Sequence, residues 1–207
     1  MIYPRDNSDI TVYGFYPSNI QNTYQSTDTD IIFFISGQDD LMYAFAPAGN
    51  KSNPLPVTLT FDHKLAQIKF KLKSNITDSL ESGLTVNIIA TGPNKGTIDI
   101  TSGNLDILSG TTETFKLSTR LTFDQLIANE EIAIPGELLL FPKSEYCFSL
   151  QIGDRYYPVT FNQQASTTSW NESSVYTLTI SINSLSNPKT TPVVKEDICL
   201  LYTSDAA

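Results

Sequence analysis

Short runs in which apolar residues recur at every second position follow one another along almost the whole chain. Side chains alternate between the two faces of a β-strand, so each run predicts a strand with one buried face. In VYTLTISI, for example, Tyr176, Leu178, Ile180 and Ile182 alternate with threonine and serine. Glycine, proline and asparagine separate the runs, and helical periodicity is nearly absent. The pattern predicts an all-β fold of the sandwich type.

One of these runs, LTFDHKLAQIKFKLK from Leu59 to Lys73, changes phase in its middle. A β-bulge near Lys64 would produce this change, because one extra residue moves the following side chains to the other face. We therefore expect residues 59–65 to face a domain junction and residues 66–72 to face the core of the following sandwich. The apolar residues occupy odd positions first and even positions afterwards: Leu59, Phe61 and Leu65, then Ala66, Ile68, Phe70 and Leu72.

The only histidine, His63, lies just before the change of phase, between Phe61 and Leu65 in the apolar phase of the strand. We interpret it as a packed, hydrogen-bonded structural residue that bridges polar groups at the junction. A catalytic triad would need a nucleophile beside this histidine, and the sequence has no motif for one. The only tryptophan, Trp170, is interpreted as a core plug at one end of the sandwich rather than as a ligand platform.

The stretch SEYCFSLQIGDRYYPVTF predicts a β-hairpin. Gly153 and Asp154 suit a two-residue loop of type II′, which requires glycine first. Cys147 falls on the other face of the hairpin, as an inert or half-buried thiol. The loop sets a register that places apolar residues of both strands on one face: Ile152 opposite Arg155, Leu150 opposite Tyr157, Phe148 opposite Val159 and Tyr146 opposite Phe161.

The connection QDDLMYAFAPAGNKSNPLP contains three prolines and predicts a domain boundary. We predict that residues 1–55 are the C-terminal part of a truncated N-terminal β-sandwich domain and that residues 56–185 form a C-terminal β-sandwich domain. Residues 186–207 read as a tail, in which residues 199–207, CLLYTSDAA, resemble a translated sequencing adapter. Before the boundary, the apolar run DIIFFISG predicts a strand buried on both faces.

Composition and motifs indicate a protein without a reactive centre. The net charge is −9, from 22 acidic and 13 basic residues, which disfavours nucleic acid as a partner. One histidine and two cysteines without metal-ligand spacing provide no metal site, and no cofactor-binding fingerprint is present. No apolar run is long enough to span a membrane. We therefore expect no catalytic residues, no cofactor and no metal.

The segment PVTLTFDHKLAQIKFKL resembles the signature strand of the fimbrillin family, an apolar–x–Phe–x–His–x–Leu/Met–Ala/Ser–x–Ile–x–Phe run. IYPRDNSDITVYGFYPSN, DDLMYA and LLLFP are similar to further elements of that family, in the same order. WNESSVYTLTISI, with Trp170 and Tyr176, is similar to the family's ending, although Ser173 and Ser174 stand where glycine is common. The matching residues of the segment are Pro56, Leu59, Phe61, His63, Leu65, Ala66, Ile68 and Phe70.

The resemblance implies two transthyretin-like β-sandwich domains in a fimbrial subunit, tip protein or related surface lipoprotein of Bacteroides-type bacteria. Its partners would be other fimbrial subunits, joined by strand exchange, and host or bacterial surface ligands. The chain would belong to the cell surface or outer membrane, held by a lipid anchor in a segment that precedes Met1. Its structural signature residues would be Phe61, His63, Leu65, Ala66, Ile68, Phe70, Trp170 and Tyr176.

Two other functions stay open at this level. A surface carbohydrate-binding β-sandwich module of a nutrient-capture lipoprotein would use Trp170, Tyr156 and either Tyr13 or Tyr24 as stacking platforms. An accessory domain of a glycan hydrolase would need paired carboxylates, and no such pair projects from one strand phase. We favour a non-catalytic fimbrial subunit over both.

Overall fold

The structure, a computed structural model, describes residues 3–17, 30–74, 84–121, 131–159 and 170–182. The described residues form strands and no helix, which confirms the predicted all-β fold. Accordingly, no helix in these ranges has the length and apolar character needed to cross a membrane. The described strands are β1 (Ile10–Tyr16), β2 (Asp30–Phe34), β3 (Met42–Gly49), β4 (Asp62–His63), β5 (Ala66–Ser74), β6 (Leu84–Pro93), β7 (Lys95–Asp99), β8 (Leu105–Ile107), β9 (Thr112–Leu121), β10 (Ile132–Ala133), β11 (Leu138–Leu140), β12 (Cys147–Ile152), β13 (Arg155–Pro158) and β14 (Val175–Ile182).

The described strands are arranged in four sheets, each named here by one of its strands. The β1 sheet has the order β1-β3-β4, and the β2 sheet has the order β2-β7-β8. In the β5 sheet, β5 pairs antiparallel with β10 and β11 and parallel with β14. The β6 sheet has the order β13-β12-β6-β9, with antiparallel pairing throughout. The transthyretin-like topology within this all-β architecture stays a prediction.

The main core lies between the β5 sheet and the β6 sheet. The even residues of β5 from Ala66 to Leu72 are at most 1% exposed, and the Phe70 ring lies 5.9 Å from the Phe148 ring of β12. Burying one such large apolar side chain stabilises the fold by about 1.5–3 kcal/mol. The residues that meet here alternate along their strands: Ala66, Ile68, Phe70 and Leu72 of β5, Val86, Ile88 and Ala90 of β6, and Phe148 and Leu150 of β12.

The core also includes residues that precede the predicted domain boundary at residue 55. Phe33 of β2 lies in the same apolar cluster as β5, and its ring is 5.7 Å from that of Phe141. β2 pairs with β7, placing Ile31 beside Ile98. The division at residue 55 stays a prediction, but the two parts share both a sheet and a core.

The prediction that β2 is buried on both faces is wrong. Ile31 and Phe33 are buried, whereas Phe34 is 52% exposed and lies under the Lys95 ammonium at 5.6 Å. β2 is an edge strand of the β2 sheet, and only one of its faces packs on the core. A continuous apolar run therefore does not require burial on both faces.

The hairpin of β12 and β13 has the predicted register. Ile152 pairs with Arg155 and Leu150 with Tyr157, and Gly153 has the positive φ of 59° that the turn requires. The amide of Val159 donates to the carbonyl of Phe148, as the register predicts. The predicted pairing of Tyr146 with Phe161 stays a prediction, because Phe161 lies outside the described residues. Cys147 is buried at 7% exposure rather than half-buried, because both faces of β12 are covered.

Candidate functional site

The segment that changes phase is two strands in two different sheets. β4 pairs with β3, placing His63 opposite Met42, whereas β5 begins at Ala66 in the β5 sheet. Between them, the amide of Lys64 donates to the carbonyl of Leu41 at 2.8 Å. The predicted bulge within one strand is therefore corrected to a passage between sheets. Each strand keeps its own alternation, because each packs against a different set of neighbours.

His63 is exposed and hydrogen-bonded, not packed as predicted. Its side chain is 59% exposed, and its Nδ1 contacts the Asp40 carboxylate. Its carbonyl oxygen accepts a hydrogen bond from the Ser173 hydroxyl at 2.6 Å. β4 has only two residues and forms the edge of its sheet, so little structure covers it. His63 thus links the 36–41 turn to the segment before β14.

The odd apolar residues before His63 lie on the β1 sheet. Phe61 is 40% exposed, and both Leu59 and Phe61 approach Gly14 so closely that a Cβ there would lie 3.0 Å from each side chain. Glycine at position 14 therefore makes room for this segment. The signature residues are divided by the passage between sheets: Leu65, Ala66, Ile68 and Phe70 are core residues, and Phe61 and His63 are exposed.

Trp170 is a core residue, as predicted, with 2% exposure. Its ring stacks on Tyr146 at 6.1 Å, meets Phe148 edge-on at 5.9 Å, and lies 6.3 Å from Tyr176. A tryptophan enclosed in this way cannot serve as a stacking platform for a sugar. Of the other platforms considered, Tyr13 is exposed, Tyr156 is half-buried, and Tyr24 lies outside the described residues.

The turn after Trp170 fastens β14 to the start of β5. The backbone amide of Asn171 donates to the Tyr176 hydroxyl at 3.0 Å, and the backbone amide of Ser173 donates to the Leu65 carbonyl at 3.2 Å. Ser173 has a φ of 56°, in the left-handed region that glycine adopts most readily. The glycine common in the family at this place thus corresponds to a real conformational demand, which serine meets here. This turn sets the register of β14 on β5.

β14 has one edge open among the described strands. It pairs in parallel with β5 from Val175 opposite Gln67 to Ile182 opposite Ser74. The backbone amide of Gln67 donates to the Ser174 carbonyl. Because the backbone groups of successive residues in a strand point to opposite sides, the even-numbered residues of β14 are the ones that bond to β5. The N–H and C=O groups of the odd-numbered residues point away from β5, towards the other edge. We call these groups the open edge of β14; they belong to Val175, Thr177, Thr179 and Ser181.

The sequence and register of β14 lack three features that usually protect an edge strand, namely a charged residue, a proline and a bulge. Sequence reasoning identified β14 as a strand but not as an edge, although an uncharged run of eight residues was the available signal. Within the described ranges, no group of three or more His, Cys, Asp or Glu residues could hold a metal ion.

Two solved structures resemble this fold over most of the chain. One is a candidate cell adhesion protein from Bacteroides uniformis, with a TM-score of 0.56 and 19% identity over 90% of this chain and 72% of its own. The other is a candidate cell adhesion protein from Bacteroides ovatus, with a TM-score of 0.56 and 20% identity over 94% of this chain and 72% of its own. At this identity the likeness establishes the fold alone. No curated protein matches the sequence.

The sequence itself identifies the family. A sequence profile described as Fimbrillin-like matches residues 1–196, which is nearly the whole chain. The match includes the signature strand around His63, the Trp170 turn and β14. On this evidence, the chain belongs to the fimbrillin-like family.

Proposed function

We propose that this chain is a non-catalytic fimbrial or adhesin subunit of the bacterial cell surface that joins other subunits by strand addition along the open edge of β14. Membership of the fimbrillin-like family supports the subunit role. The similar folds of two candidate cell adhesion proteins are consistent with it. A lipid anchor in the outer membrane belongs to the same proposal.

The observation that carries strand addition is the contrast between β14 and the other edge strands. β13 is four residues long and contains Arg155 and Pro158, and β9 carries Glu113, Lys116 and Arg120. β4, β8, β10 and β11 are two or three residues long, β2 contains Asp30, and β1 has a register shift after Ile10. β14 is thus the longest edge in the described part without charge, proline or irregularity.

The chemistry of the open edge suits an incoming β-strand. Its four outward-facing residues present N–H donors and C=O acceptors that match the backbone of an added strand. Each new backbone hydrogen bond contributes a net stabilisation of about 0.5–1.5 kcal/mol. The inward side chains of β14, Leu178, Ile180 and Ile182, are already packed in the core, so the edge is rigid before a partner arrives.

Proline substitution at Thr177 tests this proposal. Proline removes the outward N–H of Thr177, whereas the even-numbered residues keep their bonds to β5. Thr177→Val is the matched control, because it keeps the N–H and has a similar shape. We expect oligomers of the wild type and of Thr177→Val in light scattering after size exclusion, and monomers of Thr177→Pro, with closely similar thermal midpoints.

Hydrogen exchange provides a direct readout of the same edge. The Thr177 and Thr179 amides should exchange quickly in the monomer and slowly in assembled material. A wild type that stays monomeric over the whole concentration range would contradict self-assembly through this edge. Assembly of Thr177→Pro to the wild-type extent, with Thr179 still exchanging quickly, would place the contact elsewhere.

A further inference from the structure

A cleft of about 650 Å³ lies where the β1 sheet and the β5 sheet meet. One wall carries Tyr16 and His63, which lie on either side of Met42 in the cross-strand row at the end of the β1 sheet. The other wall carries Gln67 of β5 and Leu139 of β11. The volume falls within the range of small-molecule sites, roughly 300–1,000 Å³.

Strands form much of the cleft, and hydrogen bonds join the segments that line it. The Leu139 amide donates to the Gly37 carbonyl at 2.9 Å, which ties the 36–41 turn to β11. Gln38 donates its side-chain amide to the carbonyls of Gly37 and Glu137, at 3.1 and 3.2 Å. Polar groups on such a scaffold keep their positions without a ligand, which lowers the entropic cost of binding one.

The lining combines an aromatic face with polar groups that can both donate and accept. Tyr16 is 46% exposed and offers an apolar ring with a polar tip. Within the described residues, no hydrogen bond occupies the side-chain amide of Gln67, which has two donors and an acceptor. Ser174 also lines the cleft, and its hydroxyl donates to the Glu172 carbonyl at 3.1 Å, so its oxygen can still accept.

The carboxylates of the cleft are already engaged. Asp40 contacts His63 and accepts from the Leu41 amide at 2.8 Å. Asp39 accepts from the Ser36 hydroxyl at 2.9 Å, and the Glu137 carboxylate lies 3.9 Å from the Lys69 ammonium. These carboxylates keep lone pairs for hydroxyl donors, but their internal partners reduce their demand for an external cation. Their negative charge also disfavours an acidic ligand.

We propose that this cleft binds a neutral saccharide. A sugar ring has an apolar face that would stack on Tyr16, and hydroxyl groups that both donate and accept hydrogen bonds. Gln67 and Ser174 would exchange hydrogen bonds with those hydroxyls, and the Asp39 carboxylate would accept from them. The site differs from the sugar platforms considered from sequence, and it does not depend on strand addition at β14.

Glycan binding by the purified chain tests the proposal. The probe is an array of neutral and sialylated oligosaccharides, followed by titration calorimetry with each oligosaccharide that binds. We expect binding of neutral oligosaccharides, weakened about tenfold or more by Tyr16→Ala and by Gln67→Ala. Tyr13→Ala is the matched control, because residues 13 and 16 lie on opposite faces of β1. It should leave binding unchanged.

Thermal midpoints of all variants establish that the fold is intact, and Gln67→Ala decides the matter if Tyr16→Ala does not fold. No binding of any neutral oligosaccharide would overturn the proposal. So would a preference for sialylated oligosaccharides, or neutral binding that both cleft variants leave unchanged. Binding of a lysine-rich peptide in place of the neutral oligosaccharides, abolished by Asp39→Asn, would instead assign the cleft to a basic protein segment.

Discussion

At the scale of single residues, the buried hydroxyl of Tyr146 holds two segments together. It donates to the Pro93 carbonyl at 2.9 Å and accepts from the Phe141 amide at 3.1 Å. Burial raises the pKa of Tyr146, so this hydroxyl stays protonated through the ordinary pH range. Its place between Trp170 and Phe115 makes it part of the aromatic cluster at the end of the sandwich.

Removing the Tyr146 hydroxyl should therefore be costly. Tyr146→Phe leaves the buried Phe141 amide without its acceptor, and we expect the free energy of unfolding to fall by about 1–3 kcal/mol. Tyr176→Phe is the control, since its hydroxyl accepts from Asn171 at an exposed position where water can replace it. Urea unfolding measures both variants. Equal losses would contradict the assigned role of burial.

A second residue-scale prediction concerns backbone strain. Lys143 is exposed and has a φ of 54°, in the left-handed region, which costs an L-residue roughly 1–2 kcal/mol. Glycine avoids that cost but loses more chain entropy on folding, so Lys143→Gly should stabilise the protein by about 0.5–1 kcal/mol. Lys51→Gly, at an exposed position without positive φ, should not stabilise it. Urea midpoints distinguish the two outcomes.

At the scale of elements, the turn between β7 and β8 depends on one carboxylate. Asp99 accepts from the Thr101 hydroxyl at 2.6 Å, the Thr101 amide at 2.7 Å and the Ser102 amide at 3.1 Å. These hydrogen bonds, that from the Thr101 hydroxyl first, lower the pKa of Asp99 below its ordinary value of 3.8. The Tyr43 hydroxyl also donates a hydrogen bond to the Ile100 carbonyl of this turn.

The lowered pKa predicts an acid-sensitive turn. The ionised Asp99 favours the folded state, so its contribution is complete above pH 3.8 and is lost as the pH falls through the depressed folded pKa. Asp99→Asn should lower the thermal midpoint at pH 7 and reduce its decline between about pH 5 and pH 2. Asp106→Asn on β8 is the control and should keep the wild-type profile. An unchanged profile for Asp99→Asn would contradict this assignment.

At the scale of the whole molecule, the core is continuous across residue 55. Phe33, Leu41 and Tyr43 pack in the same cluster as β5 and β6. Residues 56–185 alone would therefore expose the apolar surface that these side chains cover, together with the edge of β7 that pairs with β2. The predicted domain boundary would then mark a change of sheet rather than a point where the chain can be divided.

This continuity is testable in the full chain and in a fragment. Phe33→Ala should lower the free energy of unfolding by about 3–5 kcal/mol, whereas Phe34→Ala, at an exposed position of the same strand, should change it little. The fragment 56–185 should lack a cooperative unfolding transition. A fragment as stable as the full chain would support two independent domains instead.

The sequence by itself determined the fold class, the hairpin of β12 and β13 and the burial of Trp170. These features depend on local chemistry: period-two alternation, a glycine-first turn and a single large aromatic residue in an apolar neighbourhood. The family signature was also recognisable from the sequence, because it combines short motifs in a fixed order. None of these inferences needed knowledge of which strands are neighbours.

Tertiary structure alone decided which faces and edges are covered. The phase change at Lys64 signalled a discontinuity, but a bulge and a passage between sheets produce the same alternation. The exposure of His63 and Phe34, the open edge of β14 and the cleft beside Tyr16 all depend on strand order. Alternation records which residues share a face, whereas distant strands determine whether that face or edge meets protein or water.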